Sequence, residues 1–273
     1  LGFEGILMGR VLDQLGALKV QLKRLAAMID KRRNSNLLDP NGRRRSTFQS
    51  TYARSVWGKD GDSPFFSGVG SHGPAAEFYV EQMVGSLDRH ARELGRPLRL
   101  VDLGCGDFRV GRALVERLPD LNYLGCDIVP ELIAHNAAKY SSELVRFKTL
   151  DAVCDPLPEG DVCLVRQVFQ HLSNADIRAV LANMRYPVVY VTEAHPLRKR
   201  GAVNPDKVVG PSVRFDWQTG QGRGVELDQE PYNLPSQEVF RFAVPPNEVL
   251  VTERLWMARG AEKKTLETSA AAV

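Results

Sequence analysis

Residues 98–111 (Leu-Arg-Leu-Val-Asp-Leu-Gly-Cys-Gly-Asp-Phe-Arg-Val-Gly) constrain the fold more than any other stretch. The apolar run from Leu98 to Leu103 has the character of a buried parallel strand. It runs into Gly104-Cys105-Gly106-Asp107, after which Val110, Ala113, Leu114 and Leu118 recur at helical spacing. Strand, glycine turn and helix make the first unit of a doubly wound α/β sheet, which takes its ligand beyond the strand's carboxyl end. Gly104 and Gly106 would let the backbone approach that ligand with no Cβ in the way.

The pattern narrows the ligand. A nicotinamide fingerprint would need glycine at position 109, where this chain has Arg109. A nucleotide-triphosphate loop would need Gly-Lys-Ser/Thr, which is absent. Asp102 and Asp107 flank the turn, would repel a pyrophosphate, and suit a ligand carrying an ammonium and a sulfonium. The D-x-G-x-G-D turn resembles motif I of the class I S-adenosylmethionine-dependent methyltransferases. A glycine-rich βα turn of another α/β protein is the plainer alternative. The resemblance implies an α/β fold with a doubly wound, Rossmann-like, seven-stranded sheet, mostly parallel with the last strand antiparallel.

Composition sets outer bounds. The 273 residues, 43% hydrophobic and 25% charged, are ordinary for a globular chain, and a net charge of +3 does not argue for nucleic acid. Cys105, Cys126, Cys154 and Cys163 lie in or beside predicted strands, form no C-x-x-C pair, and read as small apolar residues in a reducing compartment. No apolar run approaches the roughly 20 residues that span a bilayer. No signal peptide is evident, so the cytoplasm is the expected location.

Residues 3–31 read as an amphipathic helix with a coiled-coil seam, serving to dock on its own domain or to form a homo-oligomer, with a basic membrane-surface helix as a third reading that its mixed polar face disfavours. Residues 31–46 carry two basic triplets and read as a solvated linker, with Arg43–Arg45 able to touch phosphates as the alternative. The first 46 residues are thus an N-terminal extension. Residues 47–94 hold an aromatic, glycine-rich segment, too irregular for a helix face, expected to close over the ligand, followed by a helix from Pro74 to Leu94. Residues 95–260 are expected to form the methyltransferase domain that the resemblance implies, with an acceptor-covering insertion at 197–237. Residues 261–273 read as a flexible tail.

Strands are expected at 121–127, 144–150, 161–165, 188–192, 238–244 and 249–259, the last two as an antiparallel hairpin. Asp127, ending the second strand, stands where a ribose is gripped through two hydroxyls. Asp151, ending the third, could accept from an adenine amino group. Ser67 to Ser71 offers N–H groups and hydroxyls for the cofactor's carboxylate. The resemblance therefore implies S-adenosyl-L-methionine as cofactor, S-adenosyl-L-homocysteine as product, and contacts from Ser67, Gly68, Ser71, Asp102, Gly104, Cys105, Gly106, Asp127, Ile128, Asp151, Ala152 and Arg166. Arg166 could also orient an acidic acceptor or pair with Asp151.

The chain further resembles a bacterial subgroup with Trp57-Gly58 and Ser67–Ser71 before motif I, Gly125 to Leu132 after the second strand, Asp155–Pro158, Arg166 to Ser173, and Pro231–Pro235. It departs from that subgroup at Gln167, where an acid is usual, so neither a carboxylate base nor a metal ligand is expected there. For catalysis, His171 is the leading base, with a structural histidine as its alternative, and Glu193 and His195 stand in reserve. No metal is expected. The acceptor is expected to be a small hydroxylated molecule, a sugar or other metabolite, methylated on oxygen. The alternatives are a non-catalytic S-adenosylmethionine-binding or oligomeric scaffold, and an RNA methyltransferase using the basic linker.

Overall fold

The computed structural model describes residues 42–61 and 63–256. The expected helix at 3–31, residues 31–41 of the linker and the tail from 261 lie outside the described residues. Helices α1 (Arg43–Ala53), α2 (Gly73–Leu94), α3 (Arg109–Arg117), α4 (Pro130–Tyr140) and α5 (Asn174–Asn183) accompany nine strands. These are β1 (Arg99–Leu103), β2 (Asn122–Asp127), β3 (Val145–Thr149), β4 (Val162–Arg166), β5 (Val188–Pro196), the short pair β6 (Phe215–Asp216) and β7 (Gln221–Gly222), β8 (Ser236–Val244) and β9 (Glu248–Leu255).

Seven strands form one sheet in the order β3-β2-β1-β4-β5-β9-β8. β1 pairs in parallel with β2 and β4, while β9 alone runs against the rest, antiparallel to both β5 and β8. This is the doubly wound sheet with an antiparallel last strand that the sequence predicts. The winding reverses between β1 and β4, and ligands sit at such a reversal, outside the carboxyl ends of the strands.

Both sheet faces are covered, which is why the central strands are largely apolar. Leu100, Val162, Leu164 and Tyr190 share a core with Tyr79, Val80, Met83 and Leu87 of α2 and Leu114 of α3. Val101, Leu103, Cys163, Val165 and Val189 alternate with these and are also buried. α2 opens with Pro74 near its start and stops at Gly95, which takes the left-handed conformation that ends helices. Ser173 caps α5 by accepting the Asp176 N–H, as its position before the helix predicts.

Three expectations are corrected. Residues 43–53 are helical, not linker and irregular segment. Arg44, Phe48 and Tyr52 fall on one face at i, i+4 spacing, and Arg44 and Tyr52 are buried. β5 continues past Thr192 to Pro196 because β9 pairs with it residue by residue to the end. Cys154 is exposed, so it is not a core residue like Cys126 and Cys163.

Candidate active site

The carboxyl end of β1 turns sharply through Gly104 (φ +77°) and Gly106 (φ +55°). The Gly104 and Cys105 N–H groups both donate to the Cys126 carbonyl at the end of β2, fixing the turn to the neighbouring strand (2.7 and 3.0 Å). The space left by the missing Cβ atoms is filled by neighbouring side chains: a Cβ at Gly104 would strike Val168, and one at Gly106 would strike Ser67. The glycines thus let the flanking loops close on the turn.

Around this turn lies a cavity of about 910 Å³. Every predicted cofactor contact reaches its lining: Ser67, Gly68 and Ser71 above; Asp102, Gly104, Cys105 and Gly106 along the turn; Asp127, Ile128, Asp151, Ala152 and Arg166 on the neighbouring strand ends. Asp127 accepts the Gly106 N–H (3.2 Å) and the Val129 N–H (3.1 Å). Asp102 accepts the Tyr123 hydroxyl on one oxygen (2.6 Å). Burial pushes both carboxyls up to about 6, against the pull of those hydrogen bonds.

Three of the sequence-based roles change. Ser67 does not offer free groups: its N–H donates to Asp107 (3.0 Å), its hydroxyl accepts the Asp107 N–H (2.8 Å) and bonds Tyr52. Asp107 is spent on this pairing and on the Arg109 N–H, so it anchors the upper segment rather than a cation. Asp151 is not turned to an adenine amino group. One of its oxygens takes both Arg44 Nε (3.0 Å) and Nη2 (2.8 Å), and the other takes the Val153 N–H. Arg44 also reaches Asp176 (3.3 Å), and all three side chains are more than nine-tenths buried.

Arg166 accordingly does not pair with Asp151. Its guanidinium lies over the Tyr79 ring at 4.9 Å and donates to the Gly70 carbonyl. Its Nε is buried with no hydrogen-bond partner among the described residues. A buried orphan donor beside a cavity is a place prepared for an anion such as a carboxylate.

Of the three candidate bases, only His171 lines the cavity. It follows β4 in a short 3-10 turn, Phe169–His171. Its ring sits 5.2 Å from Trp57, Nδ1 faces the Ser212 carbonyl and Nε2 the Gln170 amide. Nδ1 must donate to that carbonyl, which leaves Nε2 to accept. Burial, aided by Lys207, pulls its pKa down to about 4. Glu193 and His195 lie outside the lining, inside the extended β5. The Glu193 carboxylate accepts the Phe169 and Gln170 N–H groups, bracing the turn that carries His171 (2.8 and 2.9 Å). His195 is buried, 4% exposed, too deep to meet an acceptor.

Sequence reasoning passed over Arg44, disguised within a basic run, although Phe48 and Tyr52 at four-residue steps were the signal that it starts a helix. It also passed over Glu248, which lines the cavity from the start of β9. Gln167, the departure from the subgroup, adopts φ +54° and fits its side chain against Gly70. No group of three His, Cys, Asp or Glu able to hold a metal occurs among the described residues, and no described helix is long and apolar enough to cross a membrane.

Residues 101–187 match the family model Methyltransf_12, described as a methyltransferase domain. Similar solved structures include the N-methyltransferase NodS from Bradyrhizobium japonicum WM9 in complex with S-adenosyl-l-homocysteine, 16% identical over 77% of this chain and 98% of that chain, TM-score 0.48. A second is 1,6-didemethyltoxoflavin-N1-methyltransferase from Burkholderia thailandensis with bound 1,6-didemethyltoxoflavin and S-adenosylhomocysteine, 19% identical over 77% and 86%, TM-score 0.45. A third is the PH0226 protein from Pyrococcus horikoshii OT3, 16% identical over 68% and 93%, TM-score 0.42. The chain carries a methyltransferase domain over the matched residues, and that segment contains the glycine turn, Asp127, Asp151, Arg166 and His171.

Proposed function

We propose that this chain moves the methyl group of S-adenosyl-L-methionine to the oxygen of a small hydroxylated acceptor, a sugar or another metabolite. The observation that carries the reading is Asp127: a carboxylate at the end of β2, held by two backbone N–H groups, on the wall of a cavity that opens around a D-x-G-x-G-D turn. The matched methyltransferase domain supports the same reading. The Trp57-Gly58 and Ser67–Ser71 segments, both on the roof side of that cavity, support membership of the bacterial subgroup.

The residues present fit such a donor. Asp127 would take the ribose hydroxyls, and the free oxygen of Asp102 would take the ammonium. Arg166 Nε, otherwise without a partner, would take the carboxylate. Ile128 and Ala152 would flank the adenine, with Trp57 and Phe48 closing above. When bound, the donor supplies a methyl carbon already activated by sulfonium. The protein then has to align an oxygen with that carbon and exclude water, and alignment supplies on the order of 7–11 kcal/mol in favourable cases. His171, with both ring nitrogens engaged, serves as a wall that keeps Trp57 in place.

Calorimetric titration tests the reading. S-adenosyl-L-methionine and S-adenosyl-L-homocysteine are expected to bind the wild type at micromolar concentration, and Asp127→Ala to weaken both by at least about tenfold, the loss of one charge-assisted hydrogen bond or more. No binding of either to the wild type would overturn it.

A further inference from the structure

The far end of the cavity, under β5, β9 and β8, differs in character from the donor end. In the ladder Ala194 stands opposite Leu250 and Pro196 opposite Glu248, while Phe242 stands opposite Leu250 and Val244 opposite Glu248. Side chains two apart on a strand share a face, so Ala194, Phe242, Val244, Leu250 and Glu248 point together, and all five line the cavity. Val213 joins this apolar wall, and Trp217, 58% exposed, stands at its rim. Neighbouring Asn247 spends its amide on the Gln218 carbonyl (2.8 Å).

Glu248 is the exception on this wall. Among the described residues no hydrogen bond or ion pair reaches its carboxylate, and burial alone raises its pKa above the ordinary range. A half-buried carboxylate without a partner costs free energy, in contrast to Glu193, Glu226 and Asp161, each of which is satisfied by protein groups. Such a group is left for something that enters the cavity. Apart from the Trp217 indole N–H and the Asn247 amide oxygen, the side chains lining the wall around it are apolar. A polyol seated there would lose its water and find fewer partners than it has hydroxyls.

We propose that Glu248 is the acceptor-binding residue and proton acceptor of this site, and that the acceptor carries one reacting hydroxyl on a carbon-rich, aromatic or alicyclic body. This rests on the methyltransferase reading and narrows its acceptor. The acceptor hydroxyl donates to a Glu248 oxygen, while Phe242, Leu250 and Trp217 cover the body. In the transfer, the acceptor oxygen forms the bond to the methyl carbon and the methyl–sulfur bond breaks with its electron pair remaining on sulfur. The hydroxyl proton passes to Glu248.

The test uses the full chain saturated with S-adenosyl-L-homocysteine and titrates 2-naphthol, cyclohexanol and methyl α-D-glucopyranoside, following Trp fluorescence and heat. The wild type is expected to bind 2-naphthol and cyclohexanol at least tenfold more tightly than the glucoside. Glu248→Gln and Glu248→Ala should each weaken naphthol binding at least fivefold while binding S-adenosyl-L-homocysteine within twofold of wild type. In single turnover with S-adenosyl-L-methionine and 2-naphthol, Glu248→Gln should slow methyl transfer at least 30-fold. Equal or tighter binding of the glucoside, or alcohol binding and transfer indifferent to both substitutions, would overturn the proposal with donor binding intact. Loss of donor binding in the wild type would instead remove the methyltransferase reading on which it stands.

Discussion

Gly106 shows how a single residue couples the roof of the cavity to its floor. A side chain there would meet two penalties, a left-handed φ and the Ser67 hydroxyl. Gly95 has a similar φ of +65° but nothing within 4 Å of where its Cβ would stand. Gly95→Ala therefore isolates the backbone cost, roughly 1–2 kcal/mol, while Gly106→Ala adds the displacement of Ser67 from Asp107. Thermal unfolding should show Gly106→Ala as the more destabilised of the two, and calorimetry should show it alone losing affinity for S-adenosyl-L-homocysteine. Equal effects of the two substitutions would mean that Ser67 yields without consequence.

At the scale of elements, α1 is attached to the sheet by charge. Arg44 reaches Asp151 beyond β3 and Asp176 in the first turn of α5, while Phe48 and Tyr52 lie against Val129, Leu132 and Ile128. Removing one member of a buried ionic set leaves the others uncompensated, at a cost of about 3–5 kcal/mol. Arg44→Met should thus raise hydrogen exchange of residues 43–53 well above that of β1 and β4, because the helix detaches locally while the core stays folded. Exchange that remains at the wild-type level would show that the aromatic contacts suffice.

This is also where sequence and structure part. The central strands and the end of β2 at Asp127 were legible, because buried parallel strands and glycine turns write their pattern locally, while the doubly wound sheet followed from the resemblance. The role of Arg44 was not, because its two partners lie more than a hundred positions away and its neighbours in sequence are also arginines. Glu193 and His195 looked like active-site groups because a strand end was placed at Thr192. The partner that prolongs β5, β9, is some fifty residues downstream, and only the pairing reveals that both side chains are interior.

Across the whole molecule, residues 197–235 bury an acid, Glu226, beside apolar side chains such as Phe215, Val225 and Leu227. Glu226 binds Arg223 and Lys199, and Asn204 ties its backbone to Glu230. Burial alone would raise its pKa, but the two cations prevail and hold it down at about 2. An acid whose pKa is depressed on folding contributes stability that is complete above its unfolded value, near 4.3, and is lost as pH falls towards the folded value. Glu226→Gln should therefore lower the melting temperature at pH 7, and the gap from wild type should shrink steadily below about pH 4.5. A gap that stays constant down to pH 3 would remove Glu226 from that role.

The wall formed by β5, β9 and β8 has one more consequence. The donor side of the cavity is built mainly from residues 101–187, whereas that wall begins at Val188 and ends at Leu255. In the proposed reading, most donor-facing and most acceptor-facing residues thus fall in consecutive stretches of the gene. Exchanging the segment after Tyr186 between relatives would change that wall and, with it, Glu193, which braces the turn after β4.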